Sequence, residues 1–388
     1  MIYTTKRLRL GKTERLDYLA HQAGETYSRT LVLFLRILRH KGIYLSRFSM
    51  EKLVKNRNLS SNSVQRIIED FYLARRSWLT LRRRDINACP PSRRRWYHSI
   101  PFKESSIRLI AGTLVLSTGR GNNPVIIPWR YKKPKFCSIS FNGKEYILNA
   151  TYTSESEIRT TEGECAGIDL GEIHPAVVDT GSRTIIANGR ILRSKRRYQN
   201  KVKAHFQSKM DKCKKKSRKW KRLNKAKCRT LNKLNNQIND ILHKQTTAIV
   251  CAMCEDGVQK VGIGNVKDLR RKVDYGPKAN QRIHQMPSGI TRKMITYKAR
   301  REGMTVELVD ESYSSQTCPK CGARNKTSNR IYKCNQCGLE HHRDAVGAIN
   351  IRSKTKYREY VPVVGDMTPP VGIRYSANNS CTSAAKTV

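Results

Sequence analysis

Two Cys-x-x-Cys pairs constrain this chain more than any other feature of its sequence. The first is Cys318-Pro-Lys-Cys321, the second is Cys334-Asn-Gln-Cys337, and twelve residues separate them. A glycine follows each pair and permits the tight turn that directs backbone amides toward the thiolates. Four thiolates complete the tetrahedral coordination of a structural zinc ion, which supplies the stability that so short a loop lacks. We therefore predict a zinc ribbon with Cys318, Cys321, Cys334 and Cys337 as ligands.

The charge of the chain indicates its partner. Among 388 residues there are 77 Lys and Arg against 30 Asp and Glu, a formal net charge of +47. Such an excess of positive charge repels itself unless a polyanion neutralises it. Nucleic acid is the expected polyanion, because its phosphates release condensed counterions when Lys and Arg neutralise them, and this release favours binding. The sequence contains no run of about 18 apolar residues, the length that a membrane-spanning helix needs. Its first residues lack the apolar core of a signal peptide. We expect a nucleic-acid partner, no membrane partner, and a place in a prokaryotic cytosol or on its nucleoid.

Hydrophobic spacing divides the chain into a helical, a β-rich and a mixed region. Residues 14–84 have helical periodicity, and residues 95–158 contain short β-rich runs and turns. From residue 165 the pattern predicts a three-strand meander, with further strands at 258–263 and 305–309. Four apolar residues illustrate the helical spacing i, i+3, i+4 and i+7: Val64, Ile67, Ile68 and Phe71. The fold class we predict is multidomain, α+β and α/β.

A basic segment follows the meander. Residues 191–230 contain 18 Lys and Arg and one acid, Asp211. Both halves have helical spacing, so we predict a helical arm against nucleic acid, with a merely solvated basic face as the alternative. For Trp220 and Tyr198, base stacking and helix packing both stay open. The candidate nucleic-acid-binding residues are Arg193, Lys195, Arg196, Arg197, Lys214, Lys215, Lys216, Arg218, Lys219 and Trp220.

Two aspartates stand in unusual settings. Asp169 lies in the apolar strand Gly167-Ile-Asp-Leu-Gly171, where a buried carboxylate is costly unless a cation compensates it. Asp344 begins a helix of small residues that can pack closely against a sheet. Each has an ordinary alternative, a turn at a strand end for Asp169 and a helix N-cap for Asp344.

Together these motifs closely resemble the TnpB family of transposon-encoded, RNA-guided nucleases, which are related to type V CRISPR effectors. The resemblance rests on the Asp169 strand, the run 313–322, the second cysteine pair with Gly338, and the run 342–350, and it covers about residues 162–352. It implies a guide RNA and double- and single-stranded target DNA as partners. It also implies a RuvC-like RNase H fold in which three carboxylates bind two Mg²⁺ ions for in-line phosphodiester hydrolysis. By motif, Asp169 is the first carboxylate and Asp344 the third.

The second carboxylate departs from the family pattern. The family usually has Glu at the end of the strand that corresponds to 258–263, but here Gly264 and Asn265 stand there. A parallel neighbouring strand lies about 4.8 Å away, so a long side chain at its end can reach the same position. We predict that Glu311 supplies this carboxylate. Asp310, Asp268 and an inactive centre are the alternatives.

The resemblance also implies a domain layout. The RuvC-like fold, with its inserted zinc ribbon, would follow a β-rich wedge domain that a helical recognition domain interrupts. The expected boundaries are 1–12 for the first wedge strand, 13–90 for the recognition domain, 91–160 for the wedge domain, 161–317 for the nuclease domain with its arm at about 191–247, 318–338 for the zinc ribbon that binds target nucleic acid, 339–353 for a closing helix, and 354–388 for a mobile tail.

Three functions fit these observations. The leading one is a Mg-dependent, RNA-guided DNA endonuclease that reads sequence through its guide. A guided DNA-binding repressor without nuclease activity is suggested by Gly264 and Asn265, although the retained Asp169 and Asp344 speak against it. An unguided zinc-ribbon DNA-binding accessory protein of a transposon is the third, and it predicts no bound RNA.

Overall fold

The structure, a computed structural model, divides into two compact units, Tyr3–Ser154 and Glu155–Val388. It describes residues 2–94, 97–154, 163–266, 274–327, 329–363, 367, 369–375 and 384–385. Asp268, one alternative for the second carboxylate, lies outside the described residues. No helix in the described ranges is both long enough and apolar enough to cross a membrane.

In its described residues the first unit combines three α-helices with two small sheets. A four-stranded sheet has the order β1-β7-β6-β2, and a three-stranded sheet has the order β3-β4-β5. Its elements are, in chain order, β1 (Ile2–Gly11), α1 (Glu14–Lys41), α2 (Arg47–Leu53), α3 (Ser61–Arg82), β2 (Ile100–Lys103), β3 (Ile107–Ile110), β4 (Thr113–Leu116), β5 (Val125–Pro128), β6 (Phe136–Phe141) and β7 (Tyr146–Ser154).

Two helix ends of this unit follow from the residues at those positions. The Ser60 hydroxyl accepts a hydrogen bond from the Ser63 amide and caps α3. Helix α1 ends at Gly42, whose φ of 63° places it in the left-handed region that glycine adopts without steric cost. The α3 residues with helical spacing are all buried in one core: Val64, Ile67, Ile68 and Phe71.

The second unit is a mixed α/β unit built on a seven-stranded sheet. Its elements are β8 (Glu164–Asp169), β9 (Val177–Asp179), β10 (Thr184–Ala187), α4 (Arg190–Asp211), α5 (Arg218–Glu255), β11 (Val258–Gly264), α6 (Pro277–Gln285), α7 (Ser288–Arg301), β12 (Thr305–Val309), β13 (Ile331–Lys333), β14 (Glu340–His342), α8 (Arg343–Tyr357), β15 (Val371–Ile373) and β16 (Ala384–Ala385).

The sheet order is β12-β11-β8-β9-β10-β15-β16. Strands β8, β9 and β10 form the predicted antiparallel meander, and β11 and β12 extend it in parallel beyond β8. The carboxyl ends of β8, β11 and β12 therefore meet at one edge of the sheet. Strands β8 and β11 are mostly buried because helices cover the sheet.

Helix α8 packs against β8, β9 and β11, and a glycine makes this close approach possible. A Cβ atom on Gly167 would lie 2.2 Å from the Ala348 carbonyl oxygen and 2.2 Å from the Arg352 amide nitrogen, so no side chain fits there. Arg352 in turn donates from Nε to Asp179 Oδ2 at 2.5 Å, which fixes α8 to β9. The small residues of α8 thus bring its first turn to the ends of the central strands.

The C-terminal segment differs from the mobile tail that its composition predicts. Helix α8 continues to Tyr357, and β15 pairs in parallel with β10, with Gly372 and Ile373 buried. The Ile373 carbonyl also accepts a hydrogen bond from the Asn188 amide at 2.9 Å. Composition missed this strand because its pairing partner lies far away in sequence.

Candidate functional site

The four predicted zinc ligands lie together. Cys318 Sγ is 3.6 Å from Cys337 Sγ, and Cys321 Sγ is 3.6 Å from Cys334 Sγ, with all four sulfurs within 4.8 Å of one another. Zinc–sulfur bonds of about 2.3 Å in a tetrahedron separate the sulfurs by about 3.8 Å. The four cysteines therefore fit one zinc ion. Gly322 and Gly338 have φ angles of 76° and 69°, as the tight turns after the two pairs require.

A second group of side chains gathers at the edge of the sheet. Asp169 ends β8, Gly264 ends β11, and Glu311 follows β12 by two residues. Val309, the last residue of β12, pairs with Gly264 in the parallel ladder. The ends of three adjacent strands thus place Asp169 and Glu311 on either side of Gly264.

Glu311 fills the space that a side chain at position 264 would need. A Cβ atom built on Gly264 would lie 2.8 Å from Glu311 Oε2 and 3.0 Å from Ile351 Cδ1. The carboxylate therefore reaches across from the end of β12 to the end of β11. Asp310 points elsewhere, since its side chain is exposed and pairs with the Lys354 ammonium at 3.3 Å.

Asp169 interacts electrostatically with both other acids. Burial, then the nearby charges of Asp344 and Glu311, raises the pKa of Asp169 to about 7. Burial, then the charge of Asp310, also raises the pKa of Glu311. On the α8 side, a Cβ atom on Gly347 would lie 3.0 Å from Asp169 Oδ2, so glycine leaves room for this carboxylate.

Asp344 is held by a histidine that the sequence did not reveal. His174 Nδ1 lies 2.7 Å from Asp344 Oδ2, and Arg330 Nη1 lies 3.3 Å from the same oxygen. Burial alone would raise the pKa of Asp344, but the hydrogen bond and charge of His174, with the charges of His342 and Arg330, bring it below its ordinary value. The N-cap alternative for Asp344 is wrong, because His342 is the N-cap of α8 and its side chain makes no capping hydrogen bond.

This arrangement fits a hard cation. A nearby divalent ion would stabilise the charged forms of Asp169 and Glu311, whose pKa values are raised. The side-chain oxygen of Asn265, beside Gly264, is also buried without a hydrogen-bond partner among the described residues. Oxygen ligands of this kind are those that Mg²⁺ prefers.

Asn350 joins the candidate carboxylate group to the cysteine group. Its Nδ2 donates to the carbonyl oxygens of Ser314 and Thr317, each at 2.7 Å, and its side chain is buried. The segment it holds runs from Glu311 to Cys318, while Asp344 lies on the same helix as Asn350. One amide therefore fixes the chain between the end of β12 and the first zinc ligand.

The predicted basic arm is a helical hairpin of α4 and α5. Three of the candidate residues line a pocket beside α4: Arg193, Arg196 and Arg197. Lys195 Nζ donates to Gln237 Oε1 at 3.1 Å, which ties α4 to α5. The remaining candidates lie at the tip, where all but the half-buried Trp220 are exposed: Lys214, Lys215, Lys216, Arg218, Lys219 and Trp220.

The structure thus brings the four cysteines together and places Asp169 within electrostatic range of both Asp344 and Glu311. Sequence reasoning missed His174, Arg330 and Asn350. A signal existed for His174 alone, which lies five residues after Asp169 in a turn between two predicted strands.

Two family models and several known proteins match parts of this chain. A family model described as "Probable transposase" matches residues 150–270, and one described as "Cas12f1-like, TNB domain" matches residues 289–351. A TnpB-like protein of Methanocaldococcus jannaschii is 29% identical over 122 residues, which are 31% of this chain and 44% of that protein. A putative RNA-guided DNA endonuclease, InsQ of Escherichia coli, is 28% identical over 223 residues, 54% of this chain and 53% of that protein.

In these segments the chain is similar to TnpB-like proteins. A CRISPR-associated endodeoxyribonuclease, Cas12f2 of a Micrarchaeota archaeon, is 26% identical over 282 residues, 65% of this chain and 49% of that protein. The chain spans about half the length of these curated relatives. Its fold resembles the Cas12f1 chain in a cryo-EM structure of a Cas12f1–sgRNA–target DNA complex, with a TM-score of 0.56 and 15% identity over 87% of this chain and 82% of that one.

Proposed function

We propose that the chain is a Mg-dependent, RNA-guided DNA endonuclease with a RuvC-like site made by Asp169, Glu311 and Asp344. The observation that carries the proposal is the position of Glu311, whose carboxylate takes the place of a side chain at Gly264 beside Asp169. The departure from the family pattern is thereby compensated within the same site. Relatives described as RNA-guided or CRISPR-associated endonucleases support the reaction type.

The sheet supports a RuvC-like RNase H fold. A three-stranded antiparallel meander carries Asp169 on its first strand, and two parallel strands extend it on the side of Glu311. Helix α8 closes the site from one face and contributes Asp344. A ribbon inserted between β12 and α8 belongs to the same layout.

The side chains have distinct roles in this proposal. Asp169, Glu311 and Asp344 would hold two Mg²⁺ ions through carboxylate oxygens. When bound, the ions would activate a water molecule and stabilise the leaving oxygen of an in-line displacement. His174 holds the Asp344 carboxylate in one orientation through its 2.7 Å hydrogen bond. This contact helps to lower the pKa of Asp344 below its ordinary value, so the carboxylate stays charged and can bind a cation.

The basic hairpin and the zinc ribbon would bind nucleic acid. The exposed tip residues of α4 and α5 form the positive surface that a guide RNA or its duplex with DNA needs. The first unit and the zinc ribbon would contact the target DNA. Such a protein would act in a prokaryotic cytosol, on nucleoid DNA.

The test compares four proteins, each purified with RNA co-expressed from the flanking locus, on a plasmid library in Mg²⁺. They are the wild type, Asp169→Asn, Glu311→Gln and Asp310→Asn. Asp310 is the matched control, because it is the adjacent acid and points away from the site. We expect the wild type and Asp310→Asn to cut guide-matched DNA. Glu311→Gln and Asp169→Asn should bind it equally well and cut it at least about 100-fold more slowly.

The other functions give different results. A wild type that binds guide-matched DNA and never cuts is a guided repressor, and the endonuclease proposal fails. A protein that copurifies with no discrete RNA is an unguided DNA-binding protein. If Asp310→Asn abolishes cleavage while Glu311→Gln does not, the second carboxylate has been assigned to the wrong residue.

A further inference from the structure

A basic pocket lies between α4 and α6, beside the loop that follows β8. Its volume is about 560 Å³. Asn200 on α4 and Gln285 on α6 exchange two hydrogen bonds, at 3.1 and 2.7 Å, which hold the two helices together at the pocket wall. The pocket is therefore part of the folded unit and does not depend on a ligand to bring its walls together.

The lining is strongly unbalanced in charge. Five cationic side chains line the pocket: Arg193, Arg196, Arg197, Lys278 and Arg282. Among its described lining residues the one acid is Glu172, and that carboxylate is already paired with Arg193 Nε at 3.1 Å. Four cations therefore face the cavity without an acidic partner in the described part of the chain. Cations that converge on one cavity attract an anion more strongly than cations spread over a surface.

Arg196 is the clearest sign that this pocket suits an anion. Its Nε is buried without a hydrogen-bond partner among the described residues, and its Nη1 makes only a long contact, 3.5 Å, with Gln199 Oε1. Burial lowers the pKa of this guanidinium, as expected for a desolvated cation without an anion. A buried guanidinium donor that finds no acceptor costs free energy, which an oxyanion would recover.

The position of the pocket relates it to the carboxylate site. Glu172 lies three residues after Asp169, and its ion pair with Arg193 ties the loop after β8 to the first turn of α4. Gly171, within this loop, donates its amide to the His174 carbonyl at 3.0 Å, and His174 binds Asp344. A strand held in the pocket would therefore run alongside the segment that carries two of the residues around the site.

The chemistry of the lining selects the ligand. Arginine presents planar, bidentate donors that match phosphate oxygens, and three arginines with no acidic partner line this wall. The exposed amide of Gln281, which also lines the pocket, adds a neutral hydrogen-bonding group suited to sugar and base edges. No aromatic ring is among the described residues that line the pocket, so charge rather than stacking would provide the affinity.

We propose that this pocket binds the phosphodiester backbone of a single DNA strand and guides it to the Asp169, Glu311 and Asp344 site. The inference deepens the proposed function and rests on it, because the strand bound is the one to be cut. Guide RNA, which carries the same phosphodiester chemistry, is the alternative source of the ligand.

The test uses the full chain loaded with its co-expressed RNA, in an Asp169→Asn background that prevents cleavage. Arg196→Gln, Arg282→Gln and the double variant are compared with Arg300→Gln. Arg300 is the matched control, an exposed arginine on α7 outside the pocket, so its replacement removes the same charge from the same unit. The probe is a fluorescein-labelled single-stranded oligothymidylate, titrated at several salt concentrations. Thermal melting verifies that each variant is folded, and the exposed Arg282 provides a variant that cannot fail through loss of packing.

We expect each pocket variant to weaken binding of the oligonucleotide by about threefold to tenfold and the double variant by more. The dependence of log affinity on log salt should become shallower by about 0.7 for each lost phosphate contact. Arg300→Gln should change neither. The proposal would be overturned if Arg196→Gln, Arg282→Gln and the double variant all bound the oligonucleotide as tightly as Arg300→Gln does. Loss of RNA affinity with unchanged oligonucleotide binding would also overturn it, because the pocket would then belong to the guide. If the variants lose the oligonucleotide but the wild-type protein never cuts DNA, the pocket stands and the endonuclease assignment fails.

Discussion

Glu311 Oε2 lies 2.8 Å from the point where a Cβ atom on Gly264 would stand. Two positions that are 47 residues apart in the sequence thus share one volume at the edge of the sheet. The parallel pairing of β11 with β12 makes this possible, because it aligns Gly264 with Val309, two residues before Glu311. The absence of a side chain at 264 and the presence of a carboxylate at 311 are therefore complementary.

This relationship predicts a rescue by exchange. Gly264→Glu alone should reduce cleavage and lower the melting temperature, because its side chain would collide with the Glu311 carboxylate and bring a like charge into a buried site. In Gly264→Glu combined with Glu311→Ala, the carboxylate returns to β11 and cleavage should recover at least about tenfold over Glu311→Ala. Plasmid cleavage rates measure both effects. A double variant no better than Glu311→Ala would show that the shared volume has no functional meaning.

The raised pKa of Asp169 predicts an unusual pH dependence of stability. Its pKa is about 7 in the folded chain against 3.8 in its ordinary state, so between these values the folded chain holds a proton that the unfolded chain has lost. Without added Mg²⁺ the melting temperature should therefore fall as pH rises from about 5 to 8. Mg²⁺ should restore it at about pH 8, by roughly 5 °C, because the cation replaces the proton.

Asp169→Asn should lose both effects, while Asp310→Asn, whose carboxylate is exposed and paired with Lys354, should keep them. Scanning fluorimetry with the zinc site left loaded measures the difference. If the melting temperature of the wild type rises over the same pH range, the Asp169 carboxylate is not a buried group that is repelled by neighbouring acids.

His174 should act as a positioning residue for Asp344. His174→Ala removes the 2.7 Å hydrogen bond, so the carboxylate loses its fixed orientation, and Mg²⁺ affinity should fall by about 10- to 100-fold. At saturating Mg²⁺ much of the cleavage rate should return, which a purely structural defect would not allow. His40→Ala, at an exposed histidine of α1, is the control. Unchanged Mg²⁺ dependence in His174→Ala would leave this contact without a role.

Asn350 should couple the ribbon to the carboxylate site. Asn350→Leu keeps the volume but leaves the Ser314 and Thr317 carbonyls buried without donors, at a cost of about 2–4 kcal/mol. We expect a lower melting temperature and slower cleavage at an unchanged zinc content, measured by fluorimetry, plasmid cleavage and elemental analysis. Asn350→Asp, which cannot donate to both carbonyls, should behave similarly. A variant with wild-type stability would show that these hydrogen bonds are dispensable.

Zinc removal should unfold the ribbon and leave the larger unit folded. Cys334 and Cys337 contribute half of the four sulfurs, so Cys334→Ser with Cys337→Ser leaves only two ligands. The variant should contain no zinc and should bind target DNA more weakly, while most of its circular dichroism is retained, because the central sheet has its own core. The matched control is Cys89→Ser, at an exposed cysteine of the first unit. Full zinc content in the double variant would contradict the ligand set.

Local sequence determined the features that depend on neighbours in the chain. The spacing of the two cysteine pairs predicts that their four sulfurs lie together. A single residue likewise sets each of two helix ends, because Ser60 caps the start of α3 and Gly42 ends α1. The strand of Asp169 and the helix of Asp344 were likewise readable, because an acid inside an apolar strand and a run of small residues are both local patterns.

Only the tertiary structure decided which distant residues meet. Glu311 was one of several acids in the sequence, and the pairing of β11 with β12 is what delivers it to the space beside Gly264 and turns Asp310 toward Lys354. His174 and Asp344 are 170 positions apart, so no periodicity could relate them. The strand at Val371–Ile373 exists because β10 offers it an edge. Local patterns follow from backbone geometry and the hydrophobic period, whereas these contacts follow from how sheet register and helix packing bring separate segments into one volume.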